Sequence, residues 1–130
     1  MAQTEKAPWE QLGEEFIKQY YMLFDTLQKT ALLGLYHATA MITFEENKAQ
    51  GHPAIKDILE NKITFQKIKH VVTKVDCQPT AENGVLVLVT GRLQTDDDPP
   101  HAFSQLFFLK PADNSYFIFH DIFRLSIHNA

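Results

Sequence analysis

The chain has 130 residues, of which 45% are apolar and 22% charged, and its formal net charge is −4. These proportions are typical of a packed soluble protein, and we expect residues 1–130 to form a single domain. The negative charge argues against nucleic acid as a partner, because phosphate binding needs clustered Lys and Arg. The single cysteine, Cys77, excludes an intramolecular disulfide and suits a reducing compartment. No signal-peptide pattern and no run of about 20 apolar residues is present, so we expect no membrane insertion.

The first half of the chain has helical periodicity. Apolar residues at spacings of three and four predict a helix over residues 8–27, in which Pro8 suits the first turn. Shorter helices are predicted over residues 30–36 and 52–61. A short strand is predicted over residues 41–45, between these two helices.

From residue 65 onward the apolar period changes to two, which is typical of strands. The pattern predicts strands over residues 66–77, 85–95, 103–110 and 116–128, separated by turn-forming residues. We therefore expect an α+β fold in which three helices pack against a strongly curved, mostly antiparallel sheet. A long curved sheet wrapped around helices leaves an apolar cavity at its open end, which would account for the abundance of phenylalanine.

Two groups of acidic residues follow predicted strands. Asp96, Asp97 and Asp98 come before Pro99, which cannot continue a strand ladder, so we expect these acids at the rim of the sheet. They are either a solvated turn or a clamp for Lys or Arg of a partner. A calcium site is disfavoured, because the run lacks the glycine and distal glutamate of a calcium-binding loop. Glu45 follows the aromatic Phe44, which is compatible with a docking rim or with ordinary solvation.

Three further side chains are candidates for a role beyond packing. His70 falls between apolar residues on the inward side of its strand, and Asp25 ends the apolar stripe of the first helix. The two form either a general acid–base pair in a pocket or a satisfied buried pair that fixes helix against sheet. Trp9 begins a helix, where a large aromatic packs either on its own sheet or on a partner.

The common enzyme motifs are missing from the sequence. No glycine-rich phosphate loop, GxSxG, HExxH or CxxC is present. This weighs against an enzyme, although a pocket assembled from scattered residues stays open. No metal site and no cofactor are expected.

Several segments, taken in order along the chain, resemble the nuclear transport factor 2 family. The resemblance runs from about residue 8 to 129, and its specificity lies in the order and spacing of the segments rather than in any one of them. The matching stretches are Trp9-Glu10-Gln11-Leu12-Gly13, Phe16-Ile17, Tyr20-Tyr21, Leu23-Phe24-Asp25, Leu35-Tyr36, Thr43-Phe44-Glu45, Phe65-Gln66-Lys67-Ile68, Asp76-Cys77-Gln78-Pro79-Thr80, Gly91-Arg92-Leu93, Asp96-Asp97-Asp98-Pro99, Ile122-Phe123-Arg124-Leu125 and His128-Asn129.

The resemblance implies a homodimer and two kinds of partner. One is the GDP-bound form of the small GTPase Ran, whose switch-region aromatic enters the cavity while basic residues meet the rim acids. Those acids correspond to Glu45, Asp96 and Asp98. The other is the phenylalanine-glycine repeats of nuclear pore proteins, whose groove between the two protomers corresponds to Trp9. The implied fold is a cone-like α+β domain whose sheet faces pair in the homodimer. The implied role is a nuclear import carrier in the cytoplasm and nucleus, enriched at the pores of the nuclear envelope.

The chain departs from the family pattern near the first rim acid. The family's usual tryptophan is Phe44 here, which keeps an apolar wall but removes an indole N–H. The family's usual glycine is Glu46, which adds charge and could change the local backbone. The segment 26–30 is one residue longer than usual.

Two alternatives use the same fold differently. A small-molecule isomerase or dehydratase would use Asp25 and His70 as acid and base inside the cavity. A nuclear export or scaffold adaptor would heterodimerise or lack the acidic turn. The presence of Asp96, Asp98 and Pro99 favours the carrier over both.

Overall fold

A computed structural model describes residues 5–126 and places a six-stranded sheet against three α-helices. The helices are α1 (Pro8–Asp25), α2 (Lys29–Leu33) and α3 (His52–Asp57). The strands are β1 (Tyr36–Phe44), β2 (Asn47–Gln50), β3 (Ile68–Pro79), β4 (Val85–Thr95), β5 (His101–Ala112) and β6 (Ser115–Leu125). Their order across the sheet is β2-β1-β6-β5-β4-β3. The pair β1–β6 is parallel and the other pairs are antiparallel, so the predicted α+β class with a mostly antiparallel sheet is confirmed.

Helix α1 lies on the concave face of the sheet and supplies most of the helical part of the core. Its first turn contains Pro8, whose missing N–H would have had no partner within the helix. Phe16, Ile17, Tyr20 and Phe24 are buried at spacings of three and four against β3 and β4. The helix ends at Asp25 rather than at residue 27, because Leu27 takes a left-handed backbone with φ of 59°.

The second predicted helix is shorter than expected, and the strand after it is longer. Helix α2 ends at Leu33, and Tyr36 begins β1 instead of closing the helix. Tyr36 is 2% exposed, and its hydroxyl donates a 2.6 Å hydrogen bond to Asp121 on β6. This long-range bond outweighs the local helical pattern. The sequence also missed β2, which pairs with the end of β1 as a hairpin.

The third helix has the predicted extent but not a uniform geometry. Helix α3 passes into a π-helical turn over Ile58–Lys62. Ile55, Ile58 and Leu59 are buried against the sheet, as the apolar spacing indicated, but Ala54, which the same spacing placed on the buried face, is exposed.

Strand β3 does not keep the simple alternation that the sequence pattern predicted. Ile68 and the His70 side chain face inward, but Val72 is 37% exposed. A bulge between Val72 and Lys74 shifts the register against β4, so that Val75 and Cys77 face inward instead. Val72 itself has the buried Gly91 as its partner on β4 and lines a shallow groove with Ile17, Tyr21 and Val75, so the bulge changes the alternation only after Val72.

Strand β6 ends at Leu125, short of the predicted residue 128. The rest of that prediction, and the matching residues His128 and Asn129, lie outside the described residues. Within residues 5–126, no helix is long and apolar enough to cross a membrane.

Candidate functional site

The ends of four strands bring the predicted rim residues to one end of the sheet. Phe44 closes β1 and pairs with Phe123 near the end of β6, whose last residues pair with the beginning of β5. The beginning of β5 in turn pairs with Leu93, close to the end of β4 and the turn formed by residues 96–98. Glu45 and the acidic turn therefore lie at the same end of the sheet, separated by β6 and β5.

Phe44 is the outermost ring of an aromatic stack at this end. Its ring lies 4.8 Å from that of Phe123 at an angle of 12°, and Phe123 lies 5.4 Å from Phe103 at 20°. Phe103 and Phe123 are buried, whereas Phe44 is half-buried. The stack fixes the orientation of Phe44 and leaves part of its surface accessible to another apolar group.

Glu45 is held tightly beside this stack. Its backbone N–H donates a 3.1 Å bond to the carbonyl of Phe123, and the N–H of Leu125 donates to its carboxylate Oε1. The left-handed backbone at this point belongs to Glu45, with φ of 55°, and not to Glu46. The replacement of the family's usual glycine by Glu46 therefore introduces no left-handed strain.

Asp96 and Asp98 have different surroundings in the acidic turn. Asp96 Oδ1 accepts bonds of 3.0 Å from the backbone N–H groups of Gln66 and Lys67, and the Asp96 N–H donates to the Lys67 carbonyl at 2.8 Å. Asp96 thus ties the turn to the segment before β3. The N–H of Asp98 donates to Thr95, and the Asp98 side chain is exposed. A polar groove of about 370 Å³ lies between Asp96, Asp97 and residues 64–67.

Trp9 lines a separate groove at the beginning of α1. The groove has a volume of about 280 Å³. Its walls are Pro8, Trp9 and Leu12 from α1, together with Pro79, Thr80, Asn83, Gly84 and Tyr116. Trp9 is half-buried, and the Tyr116 hydroxyl donates a 2.8 Å bond to the Asn83 carbonyl, which fixes the far wall. The groove is therefore a shallow apolar depression with rigid sides.

The structure brings Asp25 and His70 into direct contact. His70 Nδ1 lies 2.6 Å from Asp25 Oδ1, and the His70 backbone N–H donates to Oδ2 at 2.9 Å. Strand β3 is at the edge of the sheet, so this N–H faces α1 instead of another strand. The His70 side chain is 2% exposed, within 5.4 Å of the ring centres of Tyr21, Phe24 and Phe103. Both carboxylate oxygens are occupied and the imidazole is enclosed by rings.

The sequence analysis missed a polar network in the core centred on Asp121. This residue is 4% exposed, and it accepts hydrogen bonds from Tyr36 at 2.6 Å, from Gln105 at 2.8 Å and from Tyr20 at 3.4 Å. Tyr21 donates to Gln105 at 2.7 Å. Burial raises the pKa of Asp121 to about 6, while the hydrogen bonds from Gln105, Tyr36 and Tyr20 oppose the rise.

One signal in the sequence indicated this network. Asp121 has the same strand parity as Phe123 and Leu125, which places a carboxylate on the inward face of β6. Its partners come from α1, β1 and β5, and only the three-dimensional structure brings these elements together. Within the described part of the chain, no three potential metal ligands are clustered.

The family model described as Nuclear transport factor 2 (NTF2) domain matches residues 12–125. The protein named Nuclear transport factor 2 of Saccharomyces cerevisiae is 44% identical over 119 residues, covering 88% of this chain and 92% of the relative. The chain belongs to the nuclear transport factor 2 family.

The structural comparison confirms the cone-shaped fold of the nuclear transport factor 2 family. The structure of nuclear transport factor 2 from Cryptosporidium parvum has a TM-score of 0.86 and 38% sequence identity, covering 96% of this chain and all of that one. A hexachlorocyclohexane dehydrochlorinase has a TM-score of 0.77 but only 11% identity, with coverages of 89% and 84%. That second likeness shows the fold alone. The relatives of high identity are named as a transport factor and not as an enzyme, in agreement with the sequence-based prediction.

Proposed function

We propose that this protein acts in nucleocytoplasmic transport as an import carrier for GDP-bound Ran. In this proposal it binds phenylalanine-glycine repeats of pore proteins, passes through the pore as a homodimer, and is found in cytoplasm and nucleus with enrichment at the pores. The observation that carries the proposal is the rim at the open end of the cone. There an oriented aromatic, Phe44, lies at the same end of the sheet as Glu45, Asp96 and Asp98.

The chemistry of the rim fits an aromatic residue flanked by cations. An incoming ring would pack on Phe44, which the rings of Phe123 and Phe103 support from behind. Lys or Arg beside that ring would meet the carboxylates of Glu45 and Asp98. Breaking such a half-buried charge pair typically costs about 2–5 kcal/mol of affinity.

Nucleotide selectivity follows if the bound segment is the switch region of Ran. That region changes shape with the γ-phosphate of the nucleotide. A rigid rim built for the GDP shape discriminates between the two forms without contacting the nucleotide. The hydrogen bonds that hold Glu45 to Leu125 and Asp96 to Gln66 supply this rigidity.

The groove beside Trp9 suits the phenylalanine-glycine repeats. It is shallow and apolar, and its size matches one phenylalanine ring packed against an indole. A small contact of this kind gives weak, rapidly exchanging binding, which passage through a pore requires. A homodimer carries two such grooves and adds avidity.

The outer face of the sheet supports the homodimer. Leu88, Leu106 and Ile122 lie side by side on β4, β5 and β6. Leu88 is 42% exposed and Ile122 45%, and Met41 on the neighbouring strand β1 is also 45% exposed. An exposed apolar row across a sheet is typical of an interface, and a second copy of the same face would cover it symmetrically.

The test is calorimetric titration of the purified protein with Ran loaded either with GDP or with a non-hydrolysable GTP analogue. We expect binding to the GDP form alone, with one Ran per protomer. Equal binding to both forms, or binding to neither, would overturn the proposal and direct attention to Asp25 and His70.

A further inference from the structure

The exposed side of α1 carries a second concave surface, which we call the α1 groove. It is open and shallow, with a volume of about 810 Å³. Its apolar floor is formed by Pro8, Leu12, Phe16 and Met22, and Glu15 and Lys18 lie at its edges. Met22 is 51% exposed, the largest exposure among the large apolar side chains of residues 5–126. None of the rim residues lines this groove.

The α1 groove is continuous with the groove beside Trp9. Pro8 and Leu12 line both of them, so the two grooves share an apolar boundary, and Gln11 and Gln19 contribute uncharged polar groups to the second. This continuity indicates that both grooves serve one ligand. A large exposed apolar side chain such as Met22 has a flexible, polarisable surface that accommodates aromatic rings.

We propose that the α1 groove is a second phenylalanine subsite, so that one repeat segment binds with two phenylalanine rings at once. This inference rests on the proposed function, because it extends the repeat-binding site at Trp9. Glu15 and Lys18 in the lining form a 3.5 Å ion pair, so this part of the groove carries no net charge and suits uncharged polar spacers between the two rings.

The helix geometry sets the spacing that the ligand needs. Leu12, at the boundary of the two grooves, is ten residues from Met22, which corresponds to about 15 Å along the helix axis at 1.5 Å per residue. An extended peptide covers about 3.3 Å per residue. Two phenylalanines four or five positions apart therefore span the two subsites, whereas two phenylalanines separated by one residue reach only about 7 Å.

Repeat peptides with one or two phenylalanines test the proposal by calorimetry or fluorescence titration. For the wild-type protein we expect the peptide with a four-residue spacer to bind about 10-fold more tightly than the single-phenylalanine peptide, through the effective concentration of the second ring. Met22→Glu removes this gain and leaves the single-phenylalanine affinity unchanged. Trp9→Ala weakens both peptides.

Ala54→Glu is the matched control, since it adds the same charge at an exposed position of α3 away from both grooves. It leaves the binding of both peptides unchanged. If the single-phenylalanine peptide binds but the gain survives Met22→Glu, the second subsite is disproved and the repeat-binding proposal stands. If neither peptide binds the wild-type protein, the second subsite and the repeat-binding proposal are both disproved. A change in oligomeric state with Met22→Glu would assign the α1 groove to contact between copies and also overturn the proposal.

Discussion

The carboxylates at the rim differ in the hydrogen bonds that their oxygens accept from the rest of the chain. Asp96 uses Oδ1 for the N–H groups of Gln66 and Lys67, so part of its role is to hold the segment before β3. The exposed Asp98 has its backbone N–H fixed by Thr95, which orients the turn while its carboxylate faces solvent. Glu45 accepts from Leu125 through Oε1. We infer that the Asp98 carboxylate is the one most available to pair with a cation of a partner. Asp96 and Glu45 also hold the backbone of the rim in place.

Charge changes at the rim are expected to remove Ran binding in a protein that still folds, although Glu45→Lys also removes the acceptor of the Leu125 N–H. Glu45→Lys places a cation where a partner's cation would lie, and Asp96→Asn with Asp98→Asn removes two charges while keeping side-chain oxygens as acceptors. Each change is expected to cost about 2–5 kcal/mol of binding free energy, measured by titration with GDP-bound Ran. Glu60→Lys, an exposed position on the π-helical turn, is the control for charge alone. Unchanged affinity in the rim variants would remove these acids from the site.

The contact between Asp25 and His70 is expected to contribute to stability rather than to chemistry. Asp25→Ala leaves both the His70 N–H and its ring nitrogen without their acceptor in a largely apolar surrounding. A buried group left unpaired costs about 1–3 kcal/mol. Urea unfolding measures this loss, and Asp97→Ala in the exposed turn is the control with little effect. A variant with wild-type stability and a lost catalytic activity on a small molecule would contradict this interpretation.

At the scale of elements, local pattern predicted the structure wherever burial agreed with sequence periodicity. The helical stripe of α1 and the strands β4 and β5 were predicted because each has one continuous buried face. Tyr36 was misplaced in a helix because its hydrogen bond to Asp121 comes from a distant strand. Strand β3 departs from simple alternation after Val72 because a bulge has no signature in the sequence pattern. Likewise, the rim acids were identifiable from the sequence, but their hydrogen bonds to Leu125 and Gln66 depend on tertiary contacts.

The network around Asp121 links α1, β1, β5 and β6 and is expected to make stability depend on pH. Burial raises the folded-state pKa of Asp121 from 3.8 to about 6, so the folded protein binds more protons than the unfolded chain between these values. The contribution of Asp121 to stability therefore falls as pH rises through this range, by about 2–3 kcal/mol, and is constant above it.

The pH dependence of Asp121 is isolated by comparing the wild type with Asp121→Asn in urea unfolding between pH 4 and pH 7. Ordinary carboxylates contribute equally to both proteins, so the difference between them reports Asp121. We expect the difference in unfolding free energy to change across this range and to level off only at its upper end, about one unit above the folded-state pKa of about 6. A difference that is constant over the whole range would mean that Asp121 does not titrate there.

At the scale of the whole molecule, the three surfaces have separate places on the fold. The rim lies where β1, β4 and β6 end, the repeat groove lies at the beginning of α1, and the apolar row crosses the outer face of the sheet. In the proposed function, this separation would let one homodimer hold Ran and repeats at the same time, because the rim and the groove beside Trp9 share no residue. It also predicts that each activity can be removed alone.

Ile122→Glu is the decisive change for the homodimer. Ile122 lies in the apolar row beside Leu106 and is 45% exposed, so the folded monomer tolerates a charge there. In a dimer the same carboxylate would be buried without a partner, together with its symmetry mate, which typically costs several kcal/mol.

Analytical ultracentrifugation should show a dimer for the wild type and for the control Ala54→Glu, and a folded monomer for Ile122→Glu. The monomer should still bind one GDP-bound Ran, because the rim belongs to a single chain. A dimeric Ile122→Glu protein would place the interface elsewhere, and a monomer without Ran binding would mean that the second copy shapes the rim.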